Sequence, residues 1–131
     1  MADDLIGEWQ NTYIKVTMNS FNGITDSVRI MEANSSNWED VIKMKPISTF
    51  FDADGTYHSD HYSLNDTLLF SAMGTWYAVD DTLVLDQTTP NVGIYRFKTE
   101  VNNGEATFSA LVDFDEDGMI DDTYLGRQQK Q

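Results

Sequence analysis

The groups in this chain best suited to chemistry are one acidic run and one pair of histidines. The run is Asp113-Phe114-Asp115-Glu116-Asp117-Gly118-Met119-Ile120-Asp121-Asp122. Asp113, Asp115, Asp117 and Asp121 stand at the oxygen-donor spacing of a calcium loop, with Gly118 at its turn and Ile120 at its aliphatic position. Where such a loop places its bidentate Glu, this chain has Tyr124, so two oxygens of a full site are missing. Six acids within ten residues repel one another, and a cation would relieve them. The same Phe-Asp-x-Asp-Gly pattern, however, occurs at Phe51-Asp52-Ala53-Asp54-Gly55, between two extended stretches. Asp tolerates turn backbones and Gly supplies positive φ, so the pattern closes a hairpin without any metal. A solvated hairpin tip is the favoured reading of the run. A structural or weakly calcium-binding interaction domain is the alternative, and calcium is the only cofactor suggested.

His58 and His61 are the only histidines, in Tyr57-His58-Ser59-Asp60-His61. On a strand His58 and Asp60 share a face while His61 points the other way, so the two imidazoles do not grip one metal. His58 with Asp60 would make a general base and its orienting carboxylate. No nucleophile elbow, zinc-protease helix or phosphate-cradling loop accompanies them. The pair reads as strand surface and the protein as non-catalytic.

The elements that must position these groups are strands. Turn residues recur every 8 to 12 positions, the spacing of an all-β sandwich or barrel. Strands are expected near 8–18, 25–33, 45–53, 56–64, 67–78, 82–88, 92–101, 105–114 and 119–128, separated by Asn22-Gly23, Asp54-Gly55, Asp80-Asp81, Asn102-Asn103-Gly104 and Asp117-Gly118. Ser36-x-x-Glu39 has the form of a capping box and predicts one short helix near 36–42. Short links make an antiparallel meander. A meander of some 8 to 10 strands is best relieved of bare edges by closing into an up-and-down barrel, which has room for its own side chains or one small ligand.

Alternation predicts which side chains face inward. Leu68, Phe70, Ala72, Gly74, Trp76 and Ala78 share one face, and Ala106, Phe108, Ala110, Val112 and Phe114 share another. The small residues in both sets leave space inside. If that space holds a ligand, Phe70, Ala72, Trp76, Tyr95, Phe97, Phe108 and Ala110 are the candidates to line it. The plain alternative is that these aromatics are core. Arg96, alternating with Phe97, is expected to point outward.

Composition bounds the partners. The 131 residues suit a single domain, 1–131, with 40% hydrophobic content and no cysteine for a disulfide. A net charge of −14 repels phosphate backbones, which argues against nucleic acid. No run approaches the roughly 18–20 apolar residues of a membrane helix. The start Met1-Ala2-Asp3-Asp4 is not a signal peptide. The expected compartment is the cytoplasm, or the periplasm or exterior if a signal segment was removed. Oligomeric state is left open.

Gly7-Glu8-Trp9, at the start of the first strand, resembles the Gly-x-Trp signature of lipocalins and related barrels, and Gly74-Thr75-Trp76 with the following Asp81-Thr82-Leu83-Val84-Leu85 resembles the central hairpin of bacterial lipocalin-like domains. The resemblance implies that Trp9 packs at the closed end against a cation of the last strand, for which Arg127 is the candidate. Such a pair is worth roughly 0.5 to 2 kcal/mol. The Thr-Asp-Tyr signature, a cysteine pair and the Arg-x-Tyr that grips a fatty-acid carboxylate are absent. What the resemblance implies is non-catalytic binding of a small, mostly hydrophobic molecule inside the barrel, with no fatty acid indicated.

Overall fold

The computed structural model describes residues 2–18, 28–112, 120 and 122–131. Its order is α1 (Ala2–Leu5), β1 (Gly7–Met18), β2 (Arg29–Asn34), α2 (Trp38–Ile42), β3 (Ser48–Phe51), β4 (Thr56–Tyr62), β5 (Leu68–Val79), β6 (Thr82–Thr89), β7 (Gly93–Asn102), β8 (Glu105–Val112) and β9 (Asp122–Lys130). All pairings are antiparallel. Pairing of β1 with β9 closes β1 and β3 to β9 into an eight-stranded barrel, and β2 is an extra strand. The long β1 makes this possible. One edge runs along β9, while the other pairs with β3 through Gly7 to Gln10 and with β2 through Tyr13 to Met18.

The hairpins follow from their turn residues. Asp80 and Asn103 adopt φ of 54° and 50°, the left-handed region that short-side-chain residues tolerate best. The first Asp-x-Asp-Gly turn satisfies itself without a metal: Asp54 Oδ1 accepts from the Thr56 backbone N–H at 3.0 Å and its hydroxyl at 2.7 Å. These bonds lower the Asp54 pKa. Gly74 is required by packing. A Cβ there would overlap the carbonyl of Asp86, where β5 and β6 shift register.

One end of the barrel is shut. Leu5 and Trp9 are fully buried and belong to a core with Phe51, Tyr57, Trp76, Leu83, Ala106 and Phe108. The Trp9 indole N–H donates to the Leu5 carbonyl at 2.8 Å, so the short α1, which no residue pattern had suggested, plugs this end. Trp76 Nε1–H donates to the Asp52 carbonyl at 3.0 Å and its ring meets Phe51 edge-on at 5.3 Å.

Two local expectations are corrected. The cation over Trp9 is Lys130, at 5.8 Å from the ring centroid, not Arg127. Lys130 pairs directly with Trp9 across the β1–β9 seam. A register shift between Asn11 and Tyr13 turns Tyr13 outward, and Arg127 sits over its ring at 4.8 Å on the outer wall. Gly7 gives the Lys130 stem room to pass, since a Cβ would come within 2.9 Å of its Cε. Secondly, Ser36 does not cap α2. Its hydroxyl donates to Asn34 Oδ1 at 2.6 Å, and Asn37 occupies the N-cap with no side-chain bond to the helix, its Oδ1 accepting instead from the Asn34 N–H at 2.7 Å.

Candidate functional site

Inside the wall, above the sealed end, lies a cavity of about 130 Å³ lined by Thr49, Phe51, Tyr57, Ser59, Leu83, Leu85, Gln87, Phe97, Phe108, Tyr124 and Gln128. It shares seven of these residues with a wider vestibule of about 430 Å³ that also meets Asn11, Ile47, His61, Phe70, Ala72, Pro90, Asn91 and Tyr95. The two volumes form one funnel. Leu69 and Val92, next in the chain to the vestibule residues Phe70 and Asn91, are 52% and 84% accessible.

The funnel has two unlike sides, set by strand alternation. On β6, β7 and β8 the inward positions include Leu83, Leu85, Phe97 and Phe108, an apolar wall with Gln87 as its polar member, in which Phe97 meets Phe108 at 6.3 Å and Tyr124 at 5.9 Å, both edge-on. On β9, β1, β3 and β4 the inward positions include Gln128, Asn11, Thr49 and Ser59. Register makes these lateral neighbours: Asn11 pairs with Gln128, and Thr49 with Ser59. Asn11 is committed to the wall, its Oδ1 accepting from the Ile47 N–H at 3.1 Å. His61, one inward step beyond Ser59, places Nε2 at 3.1 Å from Ser59 Oγ and stacks on Phe70 at 4.1 Å.

Two polar atoms of this lining have no partner among the described residues. Tyr57 is 4% exposed and its hydroxyl makes no hydrogen bond, and Gln128 Oε1 is buried and likewise unmatched. Burial, with smaller contributions from Tyr95 and Asp86, pushes the Tyr57 phenol up to about 12. Burial also raises Tyr124 and lowers His61, so each keeps its neutral form over a wider pH range. The described lining contains no Asp, Glu, Lys or Arg.

The residues named from sequence are distributed as follows. Phe70, Ala72 and Tyr95 border the vestibule, Phe97 borders both volumes, and Phe108 borders the inner one. Trp76 lies in the sealed core and Ala110 pairs with Tyr124, and neither borders the funnel. Arg96 faces outward, exposed between the inward Tyr95 and Phe97. His58 and Asp60 lie on the outer wall. His58 stacks on Phe50 at 4.4 Å, its Nε2 is 4.0 Å from Asp60 Oδ2, and Asp60 accepts from Ser71 at 2.8 Å. Asp113, Asp115 and Asp117, and Asp121 with them, lie outside the described residues, so the calcium reading has no geometry to weigh. Among the described residues no group of three or more His, Cys, Asp or Glu could hold a metal, and no helix is long and apolar enough to cross a membrane.

Sequence reasoning missed the polar side: Asn11, Thr49, Ser59, His61, Gln87 and Gln128. The signal was present in the period of two. Each continues an inward series that begins with a core residue, as Leu83, Leu85, Gln87 and Tyr57, Ser59, His61 do.

No family model matches the sequence, and no curated protein matches it. Among solved structures, a lipocalin-like protein from Bacteroides uniformis ATCC 8492 superposes with a TM-score of 0.59 at 11% identity, over 98% of this chain and 99% of that one. With the closed eight-stranded barrel and its single sealed end, the match shows that this chain has a lipocalin-like fold.

Proposed function

We propose that the protein is a non-catalytic binding module whose funnel holds a small, mostly hydrophobic molecule. The observation that carries this reading is the continuous funnel, walled by Leu83, Leu85, Phe97 and Phe108 and continuing into a vestibule bordered by Phe70 and Tyr95. A barrel of this strand number closes on either packed side chains or one small ligand, and here the inward positions leave space. Concave, mainly apolar sites with a few fixed polar groups are what small-molecule sites look like. Phe70, Ala72, Tyr95, Phe97 and Phe108 are the wall such a ligand would meet. Trp76 would contribute only by supporting Phe51 beneath it. His58 and Asp60, the pair the sequence offered for catalysis, face the outer wall and away from the funnel.

Native mass spectrometry of gently purified protein tests the reading. An organic adduct that is lost on denaturation is the expected result. A bare mass that stays bare after incubation with a panel of apolar small molecules would overturn it.

A further inference from the structure

The proposed binding role says little about what the inner end of the funnel selects. Two facts on the inner lining do. The Tyr57 hydroxyl and Gln128 Oε1 are buried without partners among the described residues, although buried polar groups in folded proteins nearly always have one. Leaving such a group unmatched forfeits its hydration with nothing in return. Both belong to the lining of the same inner volume of about 130 Å³, close to the size of cavity that accepts a single six-membered ring.

We propose that this inner chamber takes a neutral, ring-sized head group carrying both a hydrogen-bond acceptor and a donor. Tyr57 Oη–H donates to the acceptor, and Gln128 Oε1 accepts from the donor. The remainder of the ligand is apolar and lies outward in the vestibule against Phe70 and Tyr95, so the molecule sits polar end innermost.

Neutrality follows from the lining. A buried charge needs a countercharge, and the described walls supply no acidic or basic side chain other than His61, which stands at the vestibule and bonds Ser59. Lys130 sits over the Trp9 ring and borders neither volume. A carboxylate would lose its hydration here and also face a protein of net charge −14. A purely apolar head would leave both orphan atoms unmatched.

The test rests on the proposed binding role and separates the two. Four single-ring probes of similar size, toluene, benzamide, benzoate and benzylammonium, are titrated into the full chain near pH 7.5 and followed by chemical-shift changes. Benzamide is expected to bind about tenfold more tightly than toluene, an advantage on the scale of one or two net hydrogen bonds. The charged probes are expected to bind more weakly than toluene. In Tyr57→Phe and in Gln128→Met the benzamide advantage is expected to shrink toward nothing while toluene is unaffected. Tyr57→Phe removes only a hydroxyl without a protein partner, so its fold is checked by melting and is expected to be intact. Toluene binding as well as benzamide would overturn the inference and leave the hollow apolar barrel standing. Benzoate or benzylammonium binding most tightly would overturn neutrality. An undiminished benzamide advantage in Tyr57→Phe would remove Tyr57 from the site. No binding by any of the four would overturn both this inference and the binding role.

Discussion

The two ends of the barrel solve opposite problems with the same residue types. At the closed end the indole N–H groups of Trp9 and Trp76 have partners: Trp9 bonds the Leu5 carbonyl and Trp76 the Asp52 carbonyl. Aromatic rings there meet edge-on, and α1 covers what the strands leave open. One layer above, Tyr57 and Gln128 carry polar atoms that nothing among the described residues meets. The contrast teaches where stability and selectivity are divided. Satisfied, dry packing at one end holds the barrel shut, and the middle can then tolerate unmatched groups that make sense only toward another molecule.

The comparison is broken most forcefully by removing its keystone. Trp9→Ala deletes a fully buried ring and its hydrogen bond to α1, and is expected to cost about 3–5 kcal/mol in denaturant unfolding. Phe70→Ala, at a ring 44% exposed at the mouth, should cost far less. Equal losses at the two sites would erase the distinction between the ends.

Gly74→Ala comes next. The added methyl meets the Asp86 backbone, which cannot swing aside as a side chain tip would, and a loss of about 1–3 kcal/mol is expected. A neutral substitution would mean that the β5–β6 register shift relaxes freely.

The cation pairs are a finer probe. Lys130→Met is expected to lower stability by about 0.5–1 kcal/mol through the Trp9 ring, and a thermal melt would resolve this. The effect should vanish in a Trp9→Leu background, whereas that of Arg127→Met on the outer wall should persist there. The reverse pattern would restore Arg127 as the partner of Trp9.

A pH series distinguishes the mouth from the sealed end. Burial lowers the His61 pKa below its ordinary 6.5, so between the folded value and 6.5 the unfolded chain binds more protons than the folded one. This contribution to stability is complete above 6.5 and is lost as pH falls toward the folded pKa. His61→Gln should flatten that part of the stability curve, and an identical slope in both proteins would show His61 to be freely solvated. The smallest effect is expected of Tyr57→Phe without ligand, a change near zero or a slight gain, because no protein hydrogen bond is removed.

Much of the architecture could be read from residue order. The Asn103-Gly104 and Asp80-Asp81 turns, and the alternation of Ala106, Phe108 and Ala110, depend on neighbours along the chain, and the strands lie close to their expected bounds. The helix near 36–42 was legible as an element but not in its cap, because Asn34 competes for the Ser36 hydroxyl. The site was half legible. The apolar wall announces itself by hydrophobicity. The polar side does not, because a polar residue on an alternating strand reads as solvent-facing until the inner face is known. In Tyr57-His58-Ser59-Asp60-His61 both faces carry a histidine, and His58 with Asp60 offered the more familiar chemistry on the face that turned out to be outside.

Period-two alternation, turn chemistry and charge are local properties, so the sequence alone determined an acidic, all-β meander with its strands and most inward faces in place. Closure and register are not local. They are settled when β1 meets β9 across the whole length of the chain, and the register found there sets Lys130 rather than Arg127 beside Trp9. The same closure sets Gln128 beside Asn11 and brings Tyr57 round to a shared chamber. Only the tertiary structure could decide that these polar atoms are buried together, because no single strand contains the space they surround.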